Sequence, residues 1–188
     1  VVERKTRRVL GLQGVSHQGD ALVSRINSVA ALLPNRPTLE DLSNLEVAYS
    51  PPYAAALDIV NAVANTAENT LDGLNRTMDA AEFERCFLQE QADDVVCLDV
   101  RGPANATPLV EHFGGRWINI PQETLARRLD EVPRDKRVVL VCNSGVRSYE
   151  ALRQLDTAGS RQTVNLQGGV AILKKSGMID LSEEAPSE

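Results

Sequence analysis

Apolar positions in the first part of the chain recur mostly at helical spacing, whereas those in the later part gather into short continuous runs between helical stretches. From Val1 to Ser16 apolar ends surround a basic turn, and Val9-Leu10-Gly11-Leu12-Gln13-Gly14-Val15 predicts a hairpin whose second strand is the better formed. A helix capped by Asp20 comes next, with Leu22, Val23, Ile26, Val29, Ala30 and Leu33 on one face and Pro34-Asn35-Arg36-Pro37 at its end. Thr38-Leu39-Glu40-Asp41 has the form of a capped single turn. Each proline of Tyr49-Ser50-Pro51-Pro52-Tyr53 fixes its own φ and restricts the residue before it, so an extended, stiff, tyrosine-bearing loop is expected there. The next helix is predicted over 54–71, where Ile59, Val60, Val63, Ala64, Ala67 and Leu71 form a broad, alanine-rich stripe that permits close helix packing. Asp72-Gly73 stops it, and 74–79 reads as a linker.

Beyond the linker the pattern alternates: a helix around 80–89, a strand at 95–100, a loop, a helix around 123–130, a strand at 137–141, a helix to about Thr157, a strand at 163–166, Gly168-Gly169, and a short helix at 170–175. This is an α/β rhythm. A continuous apolar run such as Val138-Val139-Leu140-Val141 implies a parallel sheet covered by helices on both faces. Such sheets place their sites beyond the carboxyl ends of the strands, where Asp99-Val100-Arg101 and Cys142 both fall. The organisation expected is a first domain over 1–73, the linker at 74–79, a second domain over 80–181 and an acidic tail at 182–188. The chain opens on Val1 within an apparent structural element, as a piece of something longer would.

Composition narrows the function without naming it. The 188 residues, 43% hydrophobic and 24% charged, suit one large or two small globular domains. A net charge of -6 argues against a nucleic-acid binder, and Arg4-Lys5-Arg7-Arg8 reads as the solvated end of the hairpin. No apolar run reaches membrane-spanning length. The three cysteines lie in different contexts without framework or zinc spacing, so a reducing cytoplasm is expected and a metal site is not. His17 and His112 stand alone and are assigned neither to metal nor to catalysis.

The chemistry concentrates at Cys142-Asn143-Ser144-Gly145-Val146-Arg147-Ser148, where a strand delivers one cysteine into a short polar loop before a helix carrying Tyr149, Leu152 and Leu155. The unpaired N–H groups of a first helical turn, together with the Arg147 guanidinium, would favour a thiolate over a thiol. Cys142 is therefore the candidate nucleophile. Cys97, inside Val95-Val96-Cys97-Leu98, and Cys86, in a helical pattern, read as packing residues.

With these residues in place, the segment from Asp79 to about Ile179 resembles a single rhodanese domain. It carries Leu98-Asp99-Val100-Arg101, Ile118-Asn119-Ile120-Pro121, the cysteine loop and Leu166-Gln167-Gly168-Gly169 in family order. Gly145, Arg147 and Ser148 stand where the family pattern Cys-x-x-Gly-x-Arg-Ser puts them. Two departures occur: His112-Phe113-Gly114-Gly115-Arg116-Trp117 makes the approach to the Ile-Asn-Ile-Pro strand one residue longer, and Leu173 stands where an aromatic is usual. The resemblance implies a sulfurtransferase that carries a persulfide on Cys142, with residues 143–148 binding substrate. For Arg101, beside Asp99, orienting substrate and standing solvated at a strand end are equal alternatives. Four residues separate Cys142 from Arg147, against five in cysteine phosphatases, which makes a cradle sized for one sulfur rather than a phosphate. The partners implied are a small-molecule sulfur donor and a thiol acceptor.

The first part resembles the C-terminal dimerisation domain of pyridine nucleotide-disulfide oxidoreductases of the coenzyme A-disulfide reductase and NADH-dependent persulfide reductase type. The matching stretches are Arg8-Val9-Leu10-Gly11-Leu12-Gln13, Ala48-Tyr49-Ser50-Pro51-Pro52-Tyr53 and the helix through Asn61 and Glu68. The fold class expected is thus α/β, a rhodanese-like domain preceded by a partial α+β dimerisation domain, assembled as a homodimer. In that family Tyr49 and Tyr53 would reach the partner subunit's active site; packing the dimer core is the equal alternative. No Gly-x-Gly-x-x-Gly comes after a strand, so FAD, NADH and coenzyme A are implied only for a longer parent, and no reductase activity is expected of this chain. The rival from another class is a non-catalytic dimerisation and interaction module with an inactive rhodanese domain.

Overall fold

The computed structural model describes residues 1–160 and 162–179, so the expected tail at 182–188 and the last two residues of the expected second domain lie outside it. The chain divides into two units, Val1–Leu74 and a second that begins at Asn75. Three helices build the first: α1 (Gly19–Leu32), α2 (Leu39–Ser43) and α3 (Ile59–Leu71). Their core is small, with Val9, Val29, Leu39, Leu42, Val60 and Ala64 buried together. Polar anchoring supplements it. Thr38 and Asp41 form a reciprocal capping box on α2, and the Asp58 carboxylate caps α3 by accepting from the Val60 N–H at 3.0 Å. The buried Asn61 amide donates to the carbonyls of Leu42, Ser43 and Leu45 at 3.1, 3.2 and 2.9 Å, fastening α3 over the end of α2.

Local expectations for this unit need correction at four places. The hairpin reduces to one antiparallel bridge, Val2 to Val9, and Arg8 bridges Thr38 instead of continuing a strand. Asp20 lies inside the first turn of α1 and caps nothing, because the helix begins one residue earlier, after Gln18. α3 starts at Ile59 rather than residue 54, since Asp58 offers a cap that Ala54 to Leu57 do not. The Tyr49–Tyr53 loop folds back, with the Ser50 carbonyl accepting from Tyr53 N–H at 2.8 Å and Ala54 N–H at 2.9 Å. Proline sets φ to a value that turns and extended chain share, so ψ, which the sequence leaves open, decided this. The α3 stripe also divides. Val60, Asn61 and Ala64 face inward, while Ile59 and Val63 are exposed and line an apolar cleft of about 430 Å³ with Val2, Ala62 and Thr66.

The second unit is an α/β layer structure on a five-stranded, all-parallel sheet. In chain order its elements are β1 (Thr77–Met78), α4 (Ala80–Phe83) running into a π-helical turn at Glu84–Gln89, β2 (Val95–Asp99), α5 (Pro103–Phe113), β3 (Trp117–Asn119), α6 (Gln122–Leu125), β4 (Arg137–Val141), α7 (Val146–Thr157), β5 (Thr163–Leu166) and α8 (Gly169–Lys175). The sheet order is β1-β5-β4-β2-β3. Alternation along each strand feeds two cores. Val95, Cys97, Val139 and Val141 enter one with Phe83, Phe87, Trp117 and Leu173. Val96, Leu98, Val138, Leu140 and Cys142 enter the other, beneath Ala151, Leu152 and Leu155 of α7. Helices thus cover both faces, as the unbroken apolar runs require.

Three features of this unit escaped the periodicity. Residues 77 and 78, expected within a linker, pair with Asn165 and Leu166 as a strand too short to show any alternation. The expected loop after β2 contains α5. Pro103 occupies its first turn, where no N–H is needed, and Pro108 sits on its exposed side while Ala106 and Leu109 are buried. The helix expected over 123–130 breaks into α6 and a single 3₁₀ turn at Leu129–Glu131.

Ion pairs tie the sheet at two points, one half-buried and one buried. Arg76 grips Asp156 of α7 through both carboxylate oxygens and Thr163 of β5 through its carbonyl and hydroxyl. Asp99, fully buried, accepts from Arg101 Nε at 2.9 Å, Arg101 Nη2 at 2.6 Å and Trp117 Nε1 at 3.2 Å. Removing one partner of such a pair leaves the other charge buried and unmatched. We expect Asp99→Ala to lower the unfolding free energy of this unit by about 3–5 kcal/mol in chemical denaturation, with the loss assignable to uncompensated Arg101 if Asp99→Ala/Arg101→Leu recovers part of it.

Candidate active site

Cys142 owes its position to the strand period of two: it comes after Val138 and Leu140 on the face covered by α7, so its side chain enters beneath that helix rather than the opposite core. It is 1% exposed. The chain then reverses at Gly145, whose φ of +103° belongs to the left-handed region that glycine occupies without penalty, and α7 begins. This reversal turns N–H groups inward. Gly145 N–H donates to Cys142 Sγ at 3.1 Å, and the Ser148 hydroxyl lies 3.2 Å from the same sulfur.

Two opposing influences set the thiol's acidity. Burial pushes its pKa up, while the Ser148 hydroxyl and the backbone N–H groups of Ser148, Ser144 and Gly145 stabilise the thiolate and bring it below the ordinary cysteine value. The donors are neutral. The Arg147 guanidinium, expected to help, is not among the groups that act most on the sulfur, and among the described residues it makes no hydrogen bond or ion pair. The helix N-terminus takes over the task expected of the cation, because Sγ occupies the place of an N-cap acceptor for Gly145 and Ser148. Burial raises the other two thiols. Cys97 is held well above its ordinary value, and Cys86 is raised less.

The loop is clamped from behind. Val170 N–H donates to the Cys142 carbonyl at 2.8 Å and Ala171 N–H to the Asn143 carbonyl at 3.0 Å, so the first turn of α8 holds the cysteine's own backbone. A side chain at Gly169 would drive a Cβ into the Cys142 carbonyl oxygen and to 2.7 Å from the Asn143 carbonyl carbon. Gly168-Gly169, to which the sequence attached no task at the site, is thereby explained. Asn165 escaped sequence reasoning altogether. Its Nδ2 donates to the Gly145 carbonyl at 3.0 Å and to Asn75 Oδ1 at 3.2 Å, and its Oδ1 stands 2.7 Å from Ser148 Oγ. The signal was present as one amide inside Thr163-Val164-Asn165-Leu166, a buried strand that otherwise had no need of it.

The remaining candidates separate into those at the loop and those away from it. Asn143, Ser144 and Val146 form the exposed outer side of the loop. Asp99 and Arg101 lie beside it in the backbone, since Val100 N–H donates to the Val141 carbonyl at 2.9 Å. The Asp99 carboxylate, however, reaches Trp117 in the core on the other sheet face. Arg101 is 4% exposed, so the solvated alternative is corrected, and its Nε and Nη2 are engaged by Asp99. The backbone around it is tied to β3, with Asn119 Nδ2 donating to the carbonyls of Asp99 and Arg101. Tyr49 and Tyr53 belong to the first unit and are 57% and 89% exposed.

The model of the rhodanese-like domain family matches residues 79–175. A sulfurtransferase of Allochromatium vinosum is 31% identical over 86 residues, which are 46% of this chain and 78% of that protein. A NAD-dependent persulfide reductase from A. fulgidus is similar over 90% of this chain at 36% identity with a TM-score of 0.70, and the reduced CoADR-RHD of Bacillus anthracis over 81% at 33% identity with a TM-score of 0.68. The chain spans 28% and 27% of those two structures.

A pH signature is expected of this arrangement. Because the thiolate of Cys142 is the stabilised form, its alkylation by iodoacetamide should reach half its maximal rate below the pH expected of a free cysteine, about 8.5, while Cys86 and Cys97 remain unlabelled there. Ser148→Ala removes one stabilising donor and should move that midpoint upward, read by residue-resolved mass spectrometry across pH 5–10.

Proposed function

This chain belongs to the rhodanese-like family, and we propose that its second unit is a sulfurtransferase that carries sulfane sulfur as a persulfide on Cys142. The observation that supports this most directly is the pair of donors on Sγ, Gly145 N–H and the Ser148 hydroxyl, in a loop with four residues between Cys142 and Arg147. The thiolate attacks the outer sulfur of a donor, forming an S–S bond as the donor's own bond to that sulfur breaks. The departing group, sulfite from thiosulfate or a thiolate from an organic persulfide, leaves with the electron pair. A second thiol or cyanide then attacks the outer sulfur and expels the Cys142 thiolate, so no net oxidant is needed. Ser144 and Val146, exposed on the loop, would line the transferred atom's path. A reducing compartment such as the cytoplasm suits a cysteine that must remain a thiolate.

For the first unit we propose the later part of an oxidoreductase dimerisation domain, supported by the extent of the likeness to the persulfide reductase. The exposed Ile59 and Val63 on α3 would pair with a second copy, and Tyr49 and Tyr53 would face that copy. FAD, NADH and coenzyme A belong in this reading to a longer reductase, because this chain has no glycine-rich dinucleotide-binding turn to hold them.

The near-complete burial of Cys142 favours one competing reading, a docking module whose cysteine never turns over. Incubation with thiosulfate and cyanide decides between them. Thiocyanate should form with the parent chain and fall to background with Cys142→Ser, and intact mass should show one added sulfur on the parent only. Equal thiocyanate from both proteins, or no added sulfur from thiosulfate or from an organic persulfide, overturns the proposal. For assembly, sedimentation should give a dimer that Val63→Glu dissociates; a monomer at every concentration overturns that part.

A further inference from the structure

Ser148 carries one hydroxyl proton but faces two acceptors. Its Oγ lies 3.2 Å from Cys142 Sγ and 2.7 Å from Asn165 Oδ1, and the residue is fully buried, so bulk solvent cannot replace either partner. The orientation of the Asn165 amide is dictated by its neighbours. Its other end lies 3.0 Å from the Gly145 carbonyl, which can only accept, so that end must be NH₂ and the oxygen must face Ser148. Asn165 therefore holds both residues that donate to the sulfur, Gly145 through its carbonyl and Ser148 through its hydroxyl.

We propose that Asn165 is a positioning residue for Cys142, accepting the Ser148 hydroxyl's hydrogen bond when the sulfur cannot use it and releasing that hydrogen bond to Sγ when the thiolate forms, while Ser148 keeps its proton throughout. In the thiol state Sγ–H donates to Ser148 Oγ, and Ser148 O–H donates to Asn165 Oδ1. Loss of the thiol proton to solvent turns Sγ into the stronger acceptor, and the hydroxyl rotates toward it. Once an outer sulfur is attached, Sγ becomes a neutral, divalent atom and a weak acceptor, so the hydroxyl returns to Asn165. The Ser148 hydroxyl thereby has an acceptor in the thiol, thiolate and sulfur-loaded states without moving the backbone, at the cost of leaving Asn165 Oδ1 without its donor while the thiolate persists. Asn75, 3.2 Å from Asn165 Nδ2, secures the amide from the far side.

Among the described residues, no ionised side chain is one of the groups that act most on the sulfur. Asp99 and Arg101 are paired with each other, with the carboxylate turned to the opposite face of the sheet, Glu150 of α7 accepts from Gln122 at 2.5 Å, and Lys174 and Lys175 lie in the last turn of α8. Arg147 is the nearest cation in sequence, and its guanidinium makes no hydrogen bond or ion pair among the described residues.

The inference rests on the reading of Cys142 as the reactive thiol, but its test requires no sulfur donor. The thiolate midpoint of Cys142 is measured by pH-dependent iodoacetamide labelling in the parent chain, Asn165→Asp, Asn165→Leu, Ser148→Ala and the two double variants, with thermal melting as a check on folding. Asn165→Asp keeps the shape and strengthens the competing acceptor, so the midpoint should rise by about one pH unit, a tenfold loss of thiolate below it, and by distinctly less in the Ser148→Ala background. Asn165→Leu removes the competitor and should lower the midpoint when Ser148 is present but not when it is absent. Equal shifts with and without Ser148 in the variants that fold, or no shift, overturn the proposal. Coupling with no sulfur transfer would sustain this inference while the sulfurtransferase reading fails, and transfer without coupling would do the reverse.

Discussion

Val170 N–H reaches the carbonyl of Cys142 at 2.8 Å only because residue 169 has no side chain, and much of the second unit's working end depends on that approach. The bond fixes the backbone of the cysteine from one side while α7 supplies donors to its sulfur from the other. A loop held at its carbonyls by one helix and at its side chain by another cannot relax to relieve an imperfect hydrogen bond. The sulfur thus meets preset donors, and a charge developing on it needs little reorganisation of the surroundings.

The donors are neutral, which changes the physical picture of activation. A guanidinium held against a thiolate would stabilise it strongly but would also attract anions and couple the site to salt. Backbone N–H groups and a hydroxyl act at short range in a dry environment, where each bond is worth more than in water. The opposing cost is burial, which by itself would keep the thiol protonated, as it does at Cys97. Cys97 lies within a buried strand and Cys142 directly after one in the same sheet. The difference between an inert and an activated cysteine therefore lies in the residues that come next: more strand for Cys97, a glycine reversal and a helix for Cys142.

The two units solve stability differently. In the second, two apolar cores sandwich a parallel sheet, with a half-buried ion pair at Arg76–Asp156 and a buried one at Asp99–Arg101. The first has a six-residue core and depends on caps and on the three bonds of Asn61. Its α3 leaves Ile59 and Val63 open to solvent, an arrangement that is costly for an isolated helix and sensible for one with a partner.

The strands of the sheet core were legible in the residues, because Val95–Leu98 and Val138–Val141 are apolar without interruption and only a doubly covered sheet can hold such runs. Cys142 was legible as the candidate nucleophile too, since it alone of the three cysteines passes from a buried strand into a polar loop with Gly145 and Ser148. Local signals misled where the outcome depends on a dihedral or a helix start that the sequence leaves free, as at Pro51-Pro52 and at Asp20. Folding in three dimensions settled the rest of the site. Asn165 and Asn75 are ninety residues apart and meet only because β1, which Asn75 closely precedes, pairs with β5. The replacement of Arg147 by helix N–H groups depends on which way a long, flexible side chain turns, and the role of Gly169 depends on a carbonyl twenty-seven positions earlier in the chain. Hydrogen bonds of this kind are set by distances of a few tenths of an ångström between segments remote in sequence, and no periodicity along the chain encodes them.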